Sequence, residues 1–183
     1  GLSFFNALLL RPMSVRSPQE LVTLYTSSPD RPIQSMSLEE YKYYRRSNHV
    51  FSGVTAYNYG IGVNILTYGN RSQRIVRADV SDTYFQVLGV QPIVGGTFSG
   101  DDTTPDYSVV LSYPFWQRMG GDPGIVGKEV EINGQAMTVA GVVPKSFTGT
   151  VAGFAIDLWA PIFNHQITNA NDNLLDRRNR FLR

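Results

Sequence analysis

Cysteine is absent from the 183 residues. Disulfide frameworks, thiolate metal sites and cysteine nucleophiles are thereby excluded together. A thiol-free composition suits an extracytoplasmic protein, but cytosolic chains share it, so it does not fix the compartment. Net charge is equally scarce: sixteen basic residues against fifteen acidic ones leave +1. The basic residues are scattered rather than striped, and no nucleic-acid partner is expected. Arg177, Arg178, Arg180 and Arg183 form the one basic cluster, which reads as a solvated segment end.

No apolar run approaches the roughly 20 residues that cross a bilayer. Leu2–Leu10 (LSFFNALLL) comes nearest, and it lacks the basic start and cleavage site of a signal peptide. The chain opens on Gly1 and stops at Arg183 without a recognisable terminal element, which reads as a piece of a longer protein.

Catalytic and cofactor motifs are missing as well. His49 and His165 stand far apart and outside any HExxH spacing, so a zinc site has no support. Asp79, Asp82, Asp101, Asp102 and Asp106 could supply calcium oxygens, but their spacing is not that of an EF-hand loop. Gly60-Ile61-Gly62 lacks the third glycine of a dinucleotide fingerprint, and Gly120-Gly121 reads as a helix stop. No serine lies in a G-x-S-x-G elbow. Trp116 and Trp159 could stack on a ligand, although aromatics at core spacing are usually core. No metal, no cofactor and no catalytic residue is therefore expected.

What is present is a folded composition, 42% hydrophobic and 17% charged. Leu21–Tyr25 reads as a short strand, and Ser27–Gln34, with two prolines, as a loop. Ser37 followed by Glu40 is a capping box opening a helix whose apolar face is Leu38, Tyr41 and Tyr44. Val54–Tyr59, Val63–Tyr68 and Arg74–Val80 are strand candidates, with a hairpin turn at Gly69-Asn70 between the last two. Ser81 is expected to cap a short helix that buries Tyr84, Phe85 and Leu88 and ends at Gly89. Gly95-Gly96 and Gly100-Asp101-Asp102 read as turns around Thr97-Phe98.

Tyr107–Leu111 reads as a strand leading into a helix with Pro114 in its first turn and Phe115, Trp116 and Met119 as its apolar residues. Asn133-Gly134 predicts a hairpin, pairing Val130 with Met137 and Glu129 with Thr138, so that one face is apolar and the other polar. Asp157–Pro161 reads as a last strand, and Asn164–Asp176 as a loop or exposed segment. Strands and helices intermingle without a regular βαβ period. The fold class is α+β with a mixed sheet.

Several segments in order carry a family likeness: VSDTYFQVLGV at Val80–Val90, the GGTF turn, SYPFWQR at Ser112–Arg118, GGDP at Gly120–Pro123, NGQAMTVAGVVP at Asn133–Pro144 and LWAP at Leu158–Pro161. Together they resemble the MacB-like periplasmic core domain of FtsX-type ABC transporter permeases, and most of all the large permease-like proteins abundant in acidobacteria. The likeness runs from about Ala7 to Arg183. Gly96 stands where family members often have Arg, and Met119 where an aromatic is common.

The resemblance implies a porter-like lobe with a smaller mixed lobe inserted into it. Residues 1–72 would form the first part of the porter-like lobe, 73–163 the inserted lobe, and 164–183 a linker returning to the porter-like lobe. Leu2–Leu10 is then either the outer end of a transmembrane helix or a buried N-terminal element. It further implies a periplasmic domain of an inner-membrane permease that transmits conformational change and docks partners for export or signalling. Those partners are the transmembrane helices of its own parent chain, an ABC ATPase acting indirectly, and a periplasmic adaptor or a second copy. The alternative is a periplasmic ligand-binding or sensor module, which a sizeable aromatic-lined pocket would favour. An enzyme has no motif behind it.

Overall fold

Val109, Val110 and Leu111 are consecutive and all fully buried, which a strand achieves only when both faces of its sheet are covered. The computed structural model shows how. It describes residues 21–24, 26–59, 63–98, 105–151, 153 and 155–162. In chain order the elements are β1 (Thr26–Ser28), β2 (Arg31–Gln34), α1 (Leu38–Ser47), β3 (Tyr57–Tyr59), β4 (Asn64–Tyr68), β5 (Arg71–Ile75), β6 (Arg77–Val80) and α2 (Tyr84–Val87). They continue with β7 (Val94–Gly95), β8 (Ser108–Leu111), α3 (Tyr113–Arg118), a 3-10 turn at Pro123–Ile125, β9 (Glu129–Ile132), β10 (Gln135–Val142) and β11 (Leu158–Pro161).

Strands β1 and β2 form a small antiparallel ribbon, and the other nine make one mixed sheet. Its order is β3-β6-β11-β8-β10-β9-β4-β5, with β7 beside the far end of β10. Two pairings are parallel, β10 with β8 and β11 with β6. The α+β mixed-sheet architecture expected from the sequence is the one observed.

Helix α3 lays Phe115 and Trp116 on one face of the sheet, against Leu66, Val109, Leu111, Val130, Ile132, Met137 and Leu158. Helix α2 covers the other face with Tyr84 and Phe85, against Val80, Val110 and Trp159. That second core is aromatic: the Phe85 ring meets Phe98, Phe147 and Trp159 edge-on, with centroids 5.7, 6.1 and 5.8 Å away. Fully burying one such ring stabilises by about 1.5–3 kcal/mol. A third, smaller cluster holds Leu38 and Tyr41 of α1 with Met36, Ala56 and Ile162.

One irregularity keeps β10 in register with both cores. Val139 pairs with Val109, but Gly141 pairs with Val110, so Ala140 is an extra residue. This bulge puts Val139 and Val142 in the same core although they are three positions apart. Beyond it, β7 lies so close that a Cβ on Gly141 would stand 2.6 Å from the Val94 carbonyl oxygen and closer still to that of Gly96.

The capping box at Ser37 forms: Ser37 accepts from the Glu40 amide at 3.3 Å and its own amide donates to the Glu40 carboxylate at 2.8 Å. Pro114 sits in the first turn of α3, where Ser112 accepts from the Phe115 amide. The Asn133-Gly134 hairpin is present, with φ of +50° and +82° and with Val130 opposite Met137 and Glu129 opposite Thr138.

Other local expectations need correction. Residues 21–24 are not a strand, and the segment read as a loop holds β1 and β2 instead; Pro32 is tolerated there because a two-stranded ribbon has free edges. Of Val54–Tyr59 only the last three residues pair. Arg74–Val80 is the end of β5 and all of β6, broken at Val76, whose amide and carbonyl both bond Asp157. Gly95 lies in β7 rather than in a turn. Ser81 does not cap α2: its hydroxyl accepts from the Ala56 amide instead. Tyr44 is 45% exposed, because α1 leans on its core with its first turn only. The expectations for Leu2–Leu10, Gly60-Ile61-Gly62, Gly100–Asp102 and Asn164–Asp176 lie outside the described residues.

Candidate functional site

The densest polar network among the described residues lies where α1 and the segment after it meet the end of β6. A helix set by the Ser37 box carries Arg45 in its last turn, and β6 delivers Asp82 two residues past its end. The two side chains form a fork: Arg45 Nη1 donates to Asp82 Oδ1 at 2.7 Å and Nη2 to Oδ2 at 2.9 Å. The Arg45 guanidinium is held above its ordinary pKa, chiefly by the Asp82 hydrogen bond, with burial opposing.

Hydroxyls fill in around the fork. The Ser81 amide donates to the Ala56 carbonyl at 2.9 Å, the Ala56 amide donates to the Ser81 hydroxyl at 3.1 Å, and the Ser81 and Thr55 hydroxyls are 2.7 Å apart. Thr83 donates its hydroxyl to the Val54 carbonyl at 2.9 Å. These bonds extend the β3–β6 pairing, in which Tyr57 faces Val80, past the ends of both strands.

Two further ion pairs brace the sheet. Asp157 accepts from Arg118 of α3 at 2.6 Å and from the Val76 amide at 2.8 Å, and its carbonyl accepts from the Ser112 amide at 2.9 Å. The Arg118 guanidinium also lies 5.0 Å from the centre of the Phe115 ring. On β6, Arg77 donates to Asp79 at 2.6 Å, and both side chains are buried. A buried charge persists when it is paired.

The residues that sequence reasoning weighed for chemistry are not brought together. His49 is exposed in the turn after α1, and His165 lies outside the described residues. Of the five aspartates, Asp79 and Asp82 are each bonded by an arginine, Asp106 accepts from the Ser108 amide and hydroxyl, and Asp101 and Asp102 are not described. Among the described residues no three His, Asp or Glu side chains are grouped as a metal would need. Trp116 and Trp159 are core, on opposite faces of the sheet. The Arg45–Asp82 and Arg118–Asp157 pairs had no sequence signal, since their partners are 37 and 39 residues apart.

A family model described as the MacB-like periplasmic core domain matches residues 2–180. None of the curated proteins matches the chain. Among solved structures, the chain is similar to the periplasmic region of MacB from Actinobacillus actinomycetemcomitans, at 20% identity and a TM-score of 0.58, covering 79% of this chain and 66% of that one. It is similar to the extracellular domain of the noncanonic ABC-type transporter YknZ from Gram-positive bacteria, at 18% identity and a TM-score of 0.57, covering 82% and 76%. It is also similar to a domain of a putative permease protein from Porphyromonas gingivalis, at 16% identity and a TM-score of 0.53, covering 71% and 59%. The chain thus spans 66% of the length of the MacB region. No helix among the described residues is long and apolar enough to cross a membrane.

Proposed function

Because the chain belongs to the family of MacB-like periplasmic core domains of ABC transporter permeases, we propose that it works as a mechanical part, carrying conformational change between membrane helices and a partner in the periplasm. The observation that carries this reading is the match over residues 2–180, which takes in almost the whole chain. The physical support is the sheet itself. Packed on both faces and braced by ion pairs, it can be displaced as a body without deforming.

In this proposal the inputs are the transmembrane helices of the parent chain, moved by an ABC ATPase on the other side of the membrane. The output is a periplasmic adaptor or a second copy of the domain. Residues 1–72 are the first part of a porter-like lobe, 73–163 an inserted lobe and 164–183 the return. Since β3 and β4 precede residue 72 and pair with β6 and β9, the two proposed lobes share one continuous sheet. The domain itself performs no catalysis and binds no nucleotide.

A topology reporter tests this in the full-length protein. Fused after Pro161, a reporter active only outside the cytoplasm is expected to be active. A reporter active only inside the cytoplasm, fused at the same place, is expected to be silent. The reverse pattern would remove the permease reading.

A further inference from the structure

Displacement passes from a helix to a sheet only through contacts that resist being parted or rotated. Two contacts of different kind join helix α1 to other described elements. Its first turn puts Leu38 and Tyr41 into the small third cluster, and apolar contacts of this kind are non-directional. Its last turn carries the Arg45 fork, and a bidentate guanidinium–carboxylate pair fixes orientation as well as distance. This ion pair ties the last turn of α1 to the residues just past the end of β6.

The connection from α1 to β3 would otherwise be free to absorb motion, since residues 48–56 contain no helix or strand. It is instead fastened along its second half. A Cβ placed on Gly53 would come 2.7 Å from Val87 Cγ2 of α2. Val54 accepts from Thr83, Thr55 meets Ser81, and Ala56 bonds Ser81 through both its amide and its carbonyl. The fork and these bonds converge on three consecutive residues, Ser81, Asp82 and Thr83.

We propose that Arg45 and Asp82, with the Ser81 and Thr83 hydroxyls, form a coupling clasp that makes α1 and the β6–α2 corner move as one body. A push on α1 then reaches the sheet undiminished, through Asp82 into β6 and from β6 into its neighbours β3 and β11. Cutting the fork lets the helix swing about its first turn while the sheet stays still. The clasp deepens the mechanical reading above and rests on it for its use, though not for its existence.

The absence of cysteine makes the test direct, because spin labels can be attached only where cysteine is introduced. Labels at Tyr43→Cys on α1 and Lys128→Cys beside β9 sit on exposed positions of the two bodies. In the otherwise unaltered chain, the pulsed-EPR distance distribution is expected to be single and narrow. Asp82→Asn and Arg45→Lys should each broaden it; the lysine variant matters because it keeps the charge and loses the fork. The exchanged pair, Arg45→Asp with Asp82→Arg, should narrow it again.

Native-state hydrogen exchange on the same variants separates loosening from unfolding. The α1 amides should exchange about tenfold faster while those of β8 and β10 stay protected. If Asp82→Asn fails to fold, Arg45→Lys and the exchanged pair carry the test. Distances and α1 protection left unchanged by both single variants would overturn the clasp and leave the permease reading intact. The reversed reporter pattern would remove the permease reading and leave the clasp.

Discussion

Gly141 of β10 pairs with Gly95 of β7, and Gly96 follows directly after β7, yet Gly96 and Gly141 tolerate very different replacements. A Cβ on Gly141 runs into the backbone of Val94 and Gly96, whereas one on Gly96 meets nothing within 4 Å. Gly141→Ala should therefore push β7 off the sheet and destabilise by about 1–3 kcal/mol, while Gly96→Ala should stay within about 0.5 kcal/mol. Urea unfolding of the two variants decides this, and equal midpoints would refute it. At the opposite end of β10, Gly134 needs φ of +82°. Gly134→Val should destabilise by about 1–3 kcal/mol in the same assay, because a β-branched residue resists that conformation. This second glycine was legible in the sequence, since Asn-Gly between alternating residues is a local code. The first was not: its constraint comes from a strand that lies some 45 residues away in the chain, and Gly95-Gly96 read alone looks like a turn.

Elements whose signals are local came through, and those decided by distant partners did not. The Ser37 box, the Pro114 turn and the Asn133-Gly134 turn between β9 and β10 each rest on residues within four positions of one another. The break at Val76 depends on Asp157, 81 residues later, which takes the Val76 amide away from strand pairing. Ser81 missed its expected cap for the same reason, being engaged by Ala56. The two members of the Arg118–Asp157 pair differ in what their loss should do. Asp157→Ala strips the Val76 amide and Arg118 at once and leaves a part-buried donor unmade, so a loss of about 1–3 kcal/mol is expected. Arg118 is half exposed, and Arg118→Ala should cost only about 0–1 kcal/mol. Thermal unfolding of the pair gives the comparison, and a larger loss for Arg118→Ala would contradict the assignment of Asp157 as the brace between β5, α3 and β11.

For the molecule as a whole, the two cores are built on the same strands. Val109 and Leu111 face one and Val110 the other, and Leu158 and Trp159 divide in the same way. Neither core can melt while the other stays whole. Trp116 reports on one and Trp159 on the other, so in Trp116→Phe and in Trp159→Phe the remaining fluorescence transition should coincide with the far-ultraviolet circular dichroism transition of that same variant. Separate midpoints within one variant would show two independent units. Strand order has a further consequence, for the time during which the chain is made. Strand β11 is the last of the described strands in the chain, yet it lies in the middle of the sheet, between β6 and β8. Until residues 158–161 are in place, β6 and β8 each keep an open, apolar edge, and such edges pair with whatever strand they meet. A chain interrupted after β10 holds two half-sheets with no strand to pair them, so the interval between finishing β10 and finishing β11 is when this domain most needs a chaperone.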